Sequence, residues 1–284
     1  MSEGKQIKLN WLQRELPEGL VVDAAWLESH AYFNSLRAKY VANGWMEQPT
    51  RGVYRRPAGP LLWQHVIISL QTLLERPVLV GGRTALELHG FTHYLSQGGQ
   101  REVHLYGDEG APGWLFKLPL DTNFVFHNAK RLFRDEPITR GNGSVSWNLK
   151  DNAYQSTDPL QGASFTKQPW GQWNWPLTLS SPERAILEML DELPKRETFH
   201  QVDMLFEGLT NLSPRRLNKL LVDCRSVKVK RLFLWFADRH RHAWFKRLEV
   251  DNVDLGAGKR QIVPGGRFDP KYKITVPESL DGDF

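Results

Sequence analysis

The stretch from Phe33 to Pro57 constrains this chain more than any other. A helical pattern over 33–42 closes on Asn43-Gly44. Two short β-prone pieces, 45–48 and 53–56, then flank Pro49-Thr50-Arg51-Gly52. Upstream, Ile7, Leu9, Leu12 and Leu16 recur at near-helical spacing over 5–16 until Pro17-Glu18-Gly19 stops the run. Asp23 is placed to N-cap a short helix over 24–29, and His30-Ala31-Tyr32 makes a tight connection.

At about 100° per residue, Phe33, Leu36 and Tyr40 fall within about 60° of one another and make the expected buried face. Asn34, Ser35, Ala38 and Ala42 lie opposite, with Arg37 and Lys39 at the flanks. A helix enters a major groove only where its outer face is slim. Asn and Ser can hydrogen-bond base edges there, and flanking cations can reach phosphates. Arg51 at the hairpin tip and Arg55 and Arg56 on the return strand are placed to touch the backbone or the minor groove. Three helices and a two-stranded hairpin in about 55 residues read as a winged helix-turn-helix.

Pro57-Ala58-Gly59-Pro60 marks a boundary, so the expected domains are 1–58 and 61–284. Within the second, a helix over 61–76 precedes a buried strand, Val78-Leu79-Val80, and Gly81-Gly82 turns into a helix over 84–89. Strands are expected over 102–106, 114–118, 123–127 and 145–149, and in the last part of the Trp/Pro-rich stretch 168–179. From Ser180 the pattern becomes helical over 182–193, 199–209, 214–222 and 229–236. Ser181-Pro182 and Ser213-Pro214 give strong helix starts, and a short strand over 273–276 ends the chain. The fold class is α+β: a winged helix-turn-helix, then a larger mixed α/β region with a sheet-rich lobe, 61–179, and a helical, basic lobe, 180–284.

The 284 residues carry a net charge of +5, unevenly spread. Residues 215–260 hold 13 Lys/Arg against 5 Asp/Glu, whereas 61–214 hold 13 against 17. Such segregation is a footprint for polyanions, nucleic acid first. The basic stretch supplies a secondary patch of Arg215, Arg216, Lys219, Arg225, Lys228, Lys230, Arg231, Lys259 and Arg260, able to meet DNA, RNA or protein. One cysteine, Cys224, excludes an internal disulfide and fits a reducing compartment. MSEGKQIKLN has no apolar core for a signal peptide, and no run of about 18 apolar residues exists, so a cytoplasmic chain without a membrane span is expected.

Catalytic patterns are thin. A strand, Gly81-Gly82, a helix and a strand with two alternating carboxylates is how nucleotidyltransferases hold a metal-bound triphosphate. Here that strand reads Glu102-Val103-His104, with an imidazole where the second carboxylate belongs, and Asp108 and Glu109 are out of phase. His89 and His93 are four apart, but Gly90 interrupts the helix. His240-Arg241-His242 reads as a solvated or phosphate-facing edge. Trp170, Trp173 and Trp175 are expected to pack on the sheet. No metal, cofactor or catalytic residue is expected.

Four stretches resemble the AbiEi-type antitoxins of type IV toxin–antitoxin and phage-defence (abortive infection) systems: NGWMEQPTRGVYRRP, VGGRTALELHG, SSPERAILEML, and the long run from VKRLFLWFADRHRHAWFKRLEV to KYKITVP. The resemblance implies a DNA-binding autorepressor. Its winged helix would bind inverted repeats in its own promoter, with Asn34, Ser35, Arg37, Lys39, Arg51, Arg55 and Arg56 as DNA contacts. Its larger region would oppose a cognate nucleotidyltransferase toxin, acting on the toxin's effect. Two other classes stand beside this reading. One is a nucleotidyltransferase-like enzyme on the Gly81-Gly82 turn; the other is a protein-binding module whose basic patch grips an acidic toxin surface.

Overall fold

A computed structural model of the chain describes residues 3–91, 101–135 and 164–280. The order at the N-terminus is α1 (Glu3–Glu15), β1 (Val21–Asp23), α2 (Ala24–Ser29), α3 (Asn34–Ala42), β2 (Glu47–Thr50) and β3 (Val53–Arg55). β3 is the middle strand of an antiparallel sheet, β1-β3-β2, with Val22 opposite Tyr54. The strand between the first two helices thus pairs with the return strand of the hairpin, which is the winged helix-turn-helix topology. Local chemistry sets each boundary. The Asp23 carboxylate accepts the Trp26 N–H at 2.9 Å and starts α2. Gly44, at φ 72°, ends α3, and the Tyr40 carbonyl accepts from the N–H groups of Trp45 and Met46. Leu12, Leu16, Val22, Leu27, Tyr32, Met46 and Val53 fill the interior.

The next unit contains α4 (Trp63–Thr72), β4 (Val78–Val80), α5 (Gly82–Leu88), β5 (Arg101–Gly107), β6 (Thr122–Asn128), β7 (Phe165–Trp170) and β8 (Trp175–Ser180). Its sheet has the order β6-β5-β4-β8-β7, parallel for β5/β6 and β4/β8 and antiparallel elsewhere. The ladder between β4 and β8 is short, and buried Gln71 from α4 completes it. Its amide donates to the carbonyls of Val78 and Thr178 and accepts the Thr178 N–H at 2.9 Å. The strand expected over 114–118 is instead a 3₁₀ turn, Leu115–Lys117. Only Leu115 is buried while Phe116 is exposed, and Pro112 and Pro119 bracket the segment and cannot donate to a ladder. The strand expected over 145–149 lies outside the described residues.

Four helices follow: α6 (Pro182–Asp191), α7 (Phe199–Gly208), α8 (Pro214–Asp223) and α9 (Val227–His240). Ser181, Thr198, Ser213 and Ser226 cap them through their hydroxyls. α9 is buried from Val229 to Ala237 and forms the axis of this lobe. A hairpin of β9 (Arg267–Asp269) and β10 (Ile274–Val276) closes the fold. Among the described residues, no helix is long and apolar enough to cross a membrane.

Candidate nucleic-acid interface

Of the helical residues, α3 turns Asn34, Ser35, Ala38, Lys39 and Ala42 to solvent. These positions span an arc of about 140°. Their polar members, and exposed Arg51 at the wing tip, have no side-chain hydrogen bond or ion pair among the described residues. The face is slim and carries a cation.

Two expectations about α3 are corrected. Phe33, assigned to the buried face, sits at the N-cap and is 62% exposed. Arg37, expected at the outer flank, is buried in its place. Its guanidinium donates to the Tyr32 carbonyl at 3.1 Å and to the Glu28 carboxylate at 2.8 Å, and lies over the Tyr54 ring at 5.6 Å. It ties α2, α3 and β3 together, so it holds α3 in place rather than facing outward. Burial disfavours the charge on Arg37, but the Glu28 bond and neighbouring charges outweigh that and hold its pKa above the ordinary value.

The wing cations divide likewise. Arg55 is buried: it donates to the Glu47 carboxylate at 2.6 Å and to the Gly59 carbonyl at 2.7 Å, fastening the hairpin to the linker. Arg56 is half-buried and donates to the carbonyls of Gln13 and Leu16, closing the end of α1, and to Glu18. Spacing alone could not show this. A two-residue turn at Arg51-Gly52 would set Glu47 opposite Arg56, and it is a register shift between Glu47 and Thr50 that brings Arg55 opposite Glu47.

The basic patch is also split. Arg231 is fully buried and donates to the carbonyls of Leu255, Gly256, Gly258 and Lys273. Lys230 is buried; Lys228 bonds the carbonyls of Asp191 and Leu193; Arg216 bonds the Glu183 carboxylate at 2.8 Å. The cationic edge expected over 225–231 is therefore mostly interior, because α9 starts at Val227 and is a core helix from its first turn. Arg215, Lys219, Arg225, Lys259 and Arg260 are exposed.

The Gly81-Gly82 turn is a structural lock. The Gly82 N–H, at φ 53°, donates at 2.9 Å to the Glu188 carboxylate, which also receives the Ser180 hydroxyl at 2.7 Å and Arg184 Nε at 2.8 Å. Arg184 lies between Phe133 and Phe165, 4.3 and 4.8 Å from the ring centres. A carboxylate of α6 thus occupies the place where a phosphate would meet this turn. A Cβ on Gly81 would fall 2.3 Å from that carboxylate. His104 is buried, its Nδ1 3.0 Å from His127 Nε2, and burial with the His127 charge pushes its pKa down to about 4. His127 in turn meets Glu192 at 3.2 Å. No cluster of three or more metal-ligating side chains occurs among the described residues. His240 is held by Asp203, and His242 by the Phe206 carbonyl. His89 meets the Ser180 carbonyl, and His93 lies outside the described residues. Burial raises the Cys224 thiol to about 11. Trp170 and Trp175 pack edge-on against His65, whereas Trp173 projects from the hairpin turn into solvent.

Comparison with known proteins agrees with these features. The N-terminal domain of the AbiEi antitoxin transcriptional regulators matches residues 5–97, and the transcriptional regulator, AbiEi antitoxin of type IV toxin–antitoxin systems matches residues 143–277. The fold is similar to the crystal structure of the RV2827C protein from Mycobacterium tuberculosis, with a TM-score of 0.52 at 14% identity over 96% of this chain and 91% of that one. No curated protein matches the chain. Two family models that between them take in the winged helix, the Gly81-Gly82 turn, the Ser181-capped helix and the buried α9 place this chain in the AbiEi antitoxin family of transcriptional regulators.

Proposed function

We propose that the chain represses its own promoter through the winged helix, within 1–58, and that the larger region, 61–284, opposes a cognate nucleotidyltransferase toxin in the cytoplasm. The outer face of α3 enters the major groove at inverted repeats, with Asn34 and Ser35 at base edges and Lys39 on phosphate. Arg51 at the wing tip reaches the neighbouring backbone. Arg37 and Arg55 act through the fold by fixing α3 and the wing, and Arg56 by securing α1. The observation that carries this reading is the solvent-facing arc of small and polar side chains on α3.

Electrophoretic shifts on the promoter and on scrambled DNA test it. Lys39→Ala and Arg51→Ala are expected to weaken binding to both alike and to flatten the salt dependence by about one unit of slope each. Asn34→Ala is expected to change the preference between the two. Undiminished binding by all three variants removes α3 and the wing as the interface.

A further inference from the structure

Four helices of the C-terminal lobe and α2 carry a hydroxyl or carboxylate cap; α3, α4 and α5 start at Phe33, Leu62 and Gly81 with no side-chain capping bond, and of these Phe33 is the most exposed large side chain. Phenylalanine is a poor choice there on two counts. It leaves orphan N–H groups at the start of α3 without a side-chain acceptor, and, 62% exposed, it holds an apolar ring in water. Positions that break local rules without a structural return are where function is expected. The Phe33 carbonyl accepts from the N–H groups of Leu36 and Arg37, which any residue at the cap would do, whereas its side chain faces out with its neighbours Asn34 and Ser35.

The chemistry of the face leans one way. Guanine is read best by a bidentate arginine or lysine; Arg37 is turned inward, and Lys39 stands at the edge of the arc, where the reading above sets it on phosphate. Adenine is read by Asn, and the thymine C5-methyl by apolar groups such as Phe and Ala. The face offers Asn34, Ala38 and Ala42, with Phe33 at the end of the helix that meets base edges in helix-turn-helix docking. Charge complementarity fixes the occupant. Among the described residues, Lys39 and Arg51 are exposed and unpaired, whereas the nearby carboxylates of Glu28 and Glu47 are neutralised by Arg37 and Arg55.

We propose that this face selects A·T base pairs in the major groove, Phe33 packing on a thymine C5-methyl and Asn34 pairing with an adjacent adenine. The inference rests on the DNA-binding reading above. It adds Phe33 as a specificity-determining residue.

Duplexes in which deoxyuridine replaces thymidine test it, because they lack only the methyl groups. Affinities of the full chain for thymine- and uracil-containing promoter fragments are compared by fluorescence anisotropy. Wild type is expected to bind the uracil duplex roughly 4- to 15-fold more weakly, the effect of one or two buried methyl groups. Phe33→Ser is expected to bind both duplexes equally, and Phe33→Leu to keep part of the discrimination. Phe33→Ser also supplies the missing cap, so its thermal midpoint should match or exceed wild type, which separates lost readout from lost fold. Lys39→Ala is expected to bind both duplexes more weakly with the ratio preserved. Promoter-selective binding with no thymine preference, or a preference that persists in Phe33→Ser, overturns this inference and leaves the DNA-binding reading standing. Failure to select the promoter over scrambled DNA removes both.

Discussion

Replacing Glu188 by glutamine keeps the side chain's shape while removing its charge and one acceptor oxygen. That carboxylate receives the Gly82 N–H, the Ser180 hydroxyl and Arg184 Nε within 2.7–2.9 Å, and neither its side chain nor that of Arg184 is exposed. In Glu188→Gln one donor faces an amide NH₂, and the buried guanidinium loses the carboxylate that its Nε meets. Removing one partner of a buried pair costs about 3–5 kcal/mol. The rings of Phe133 and Phe165 offset roughly 1 kcal/mol of that for the buried cation. The expected loss is therefore about 2–4 kcal/mol. Urea denaturation of the full chain, followed by tryptophan fluorescence, measures it. Arg184→Met should cost a similar amount, because it strands the carboxylate. The double variant Arg184→Met/Glu188→Met removes both charges together and should cost less than the losses of Arg184→Met and Glu188→Met combined, by at least about 1 kcal/mol. A loss below about 1 kcal/mol for Glu188→Gln, or strict additivity of the two methionine variants, refutes the view that this pair locks the Gly81-Gly82 turn to α6.

Three further outcomes follow from the same geometry. His104 has a folded pKa of about 4, below its ordinary value, with burial the largest cause and His127, Arg83 and Arg196 opposing its charge against Glu192. The unfolded chain takes up that proton near pH 6.5 and the folded chain does not. Stability should therefore fall as pH drops from about 6.5 to about 4, by up to about 3 kcal/mol, and denaturation curves of His104→Gln should show a shallower acid limb. Gln71→Leu strands two carbonyls and one N–H between β4 and β8. It should cost about 2–5 kcal/mol in the same assay, and a neutral result would deny that the amide joins the two strands. Arg55→Ala breaks the link from the wing to Gly59. It should raise hydrogen exchange at the amides of β2 and β3, whereas Arg51→Ala should leave those amides unchanged.

Local punctuation made much of this structure legible. Pro17, Asp23, Asn43-Gly44 and Gly52 fix the edges of the winged helix. Ser181-Pro182 and Ser213-Pro214 start their helices where serine caps and first-turn prolines say they should. Decisions about burial were harder, because they depend on partners far away in sequence. Whether a cation faces water or a carbonyl depends for Arg231 on a loop 24 or more residues downstream and for Arg37 on Tyr32 and Glu28. Nothing near Gly82 points to Glu188, which is 106 residues away. Phe33 was misread for a different reason. Helical periodicity applies only to residues inside a helix, and Phe33 is the non-helical cap. For the candidate interface, Asn34, Ser35, Lys39 and Arg51 could be placed from spacing alone. Arg37, Arg55 and Arg56 could not, because their role is to bind their own chain.

The winged helix thus sorts its side chains into two populations under different constraints. Arg37, Arg55 and Arg56 are anchored to carbonyls and carboxylates of the domain itself, so altering them disturbs its architecture. Asn34, Ser35, Ala38, Lys39 and Ala42 make no such commitments among the described residues. A lineage can rewrite those five positions at little thermodynamic cost, so that under the proposed DNA-binding reading the recognised sequence can drift while the scaffold stays fixed.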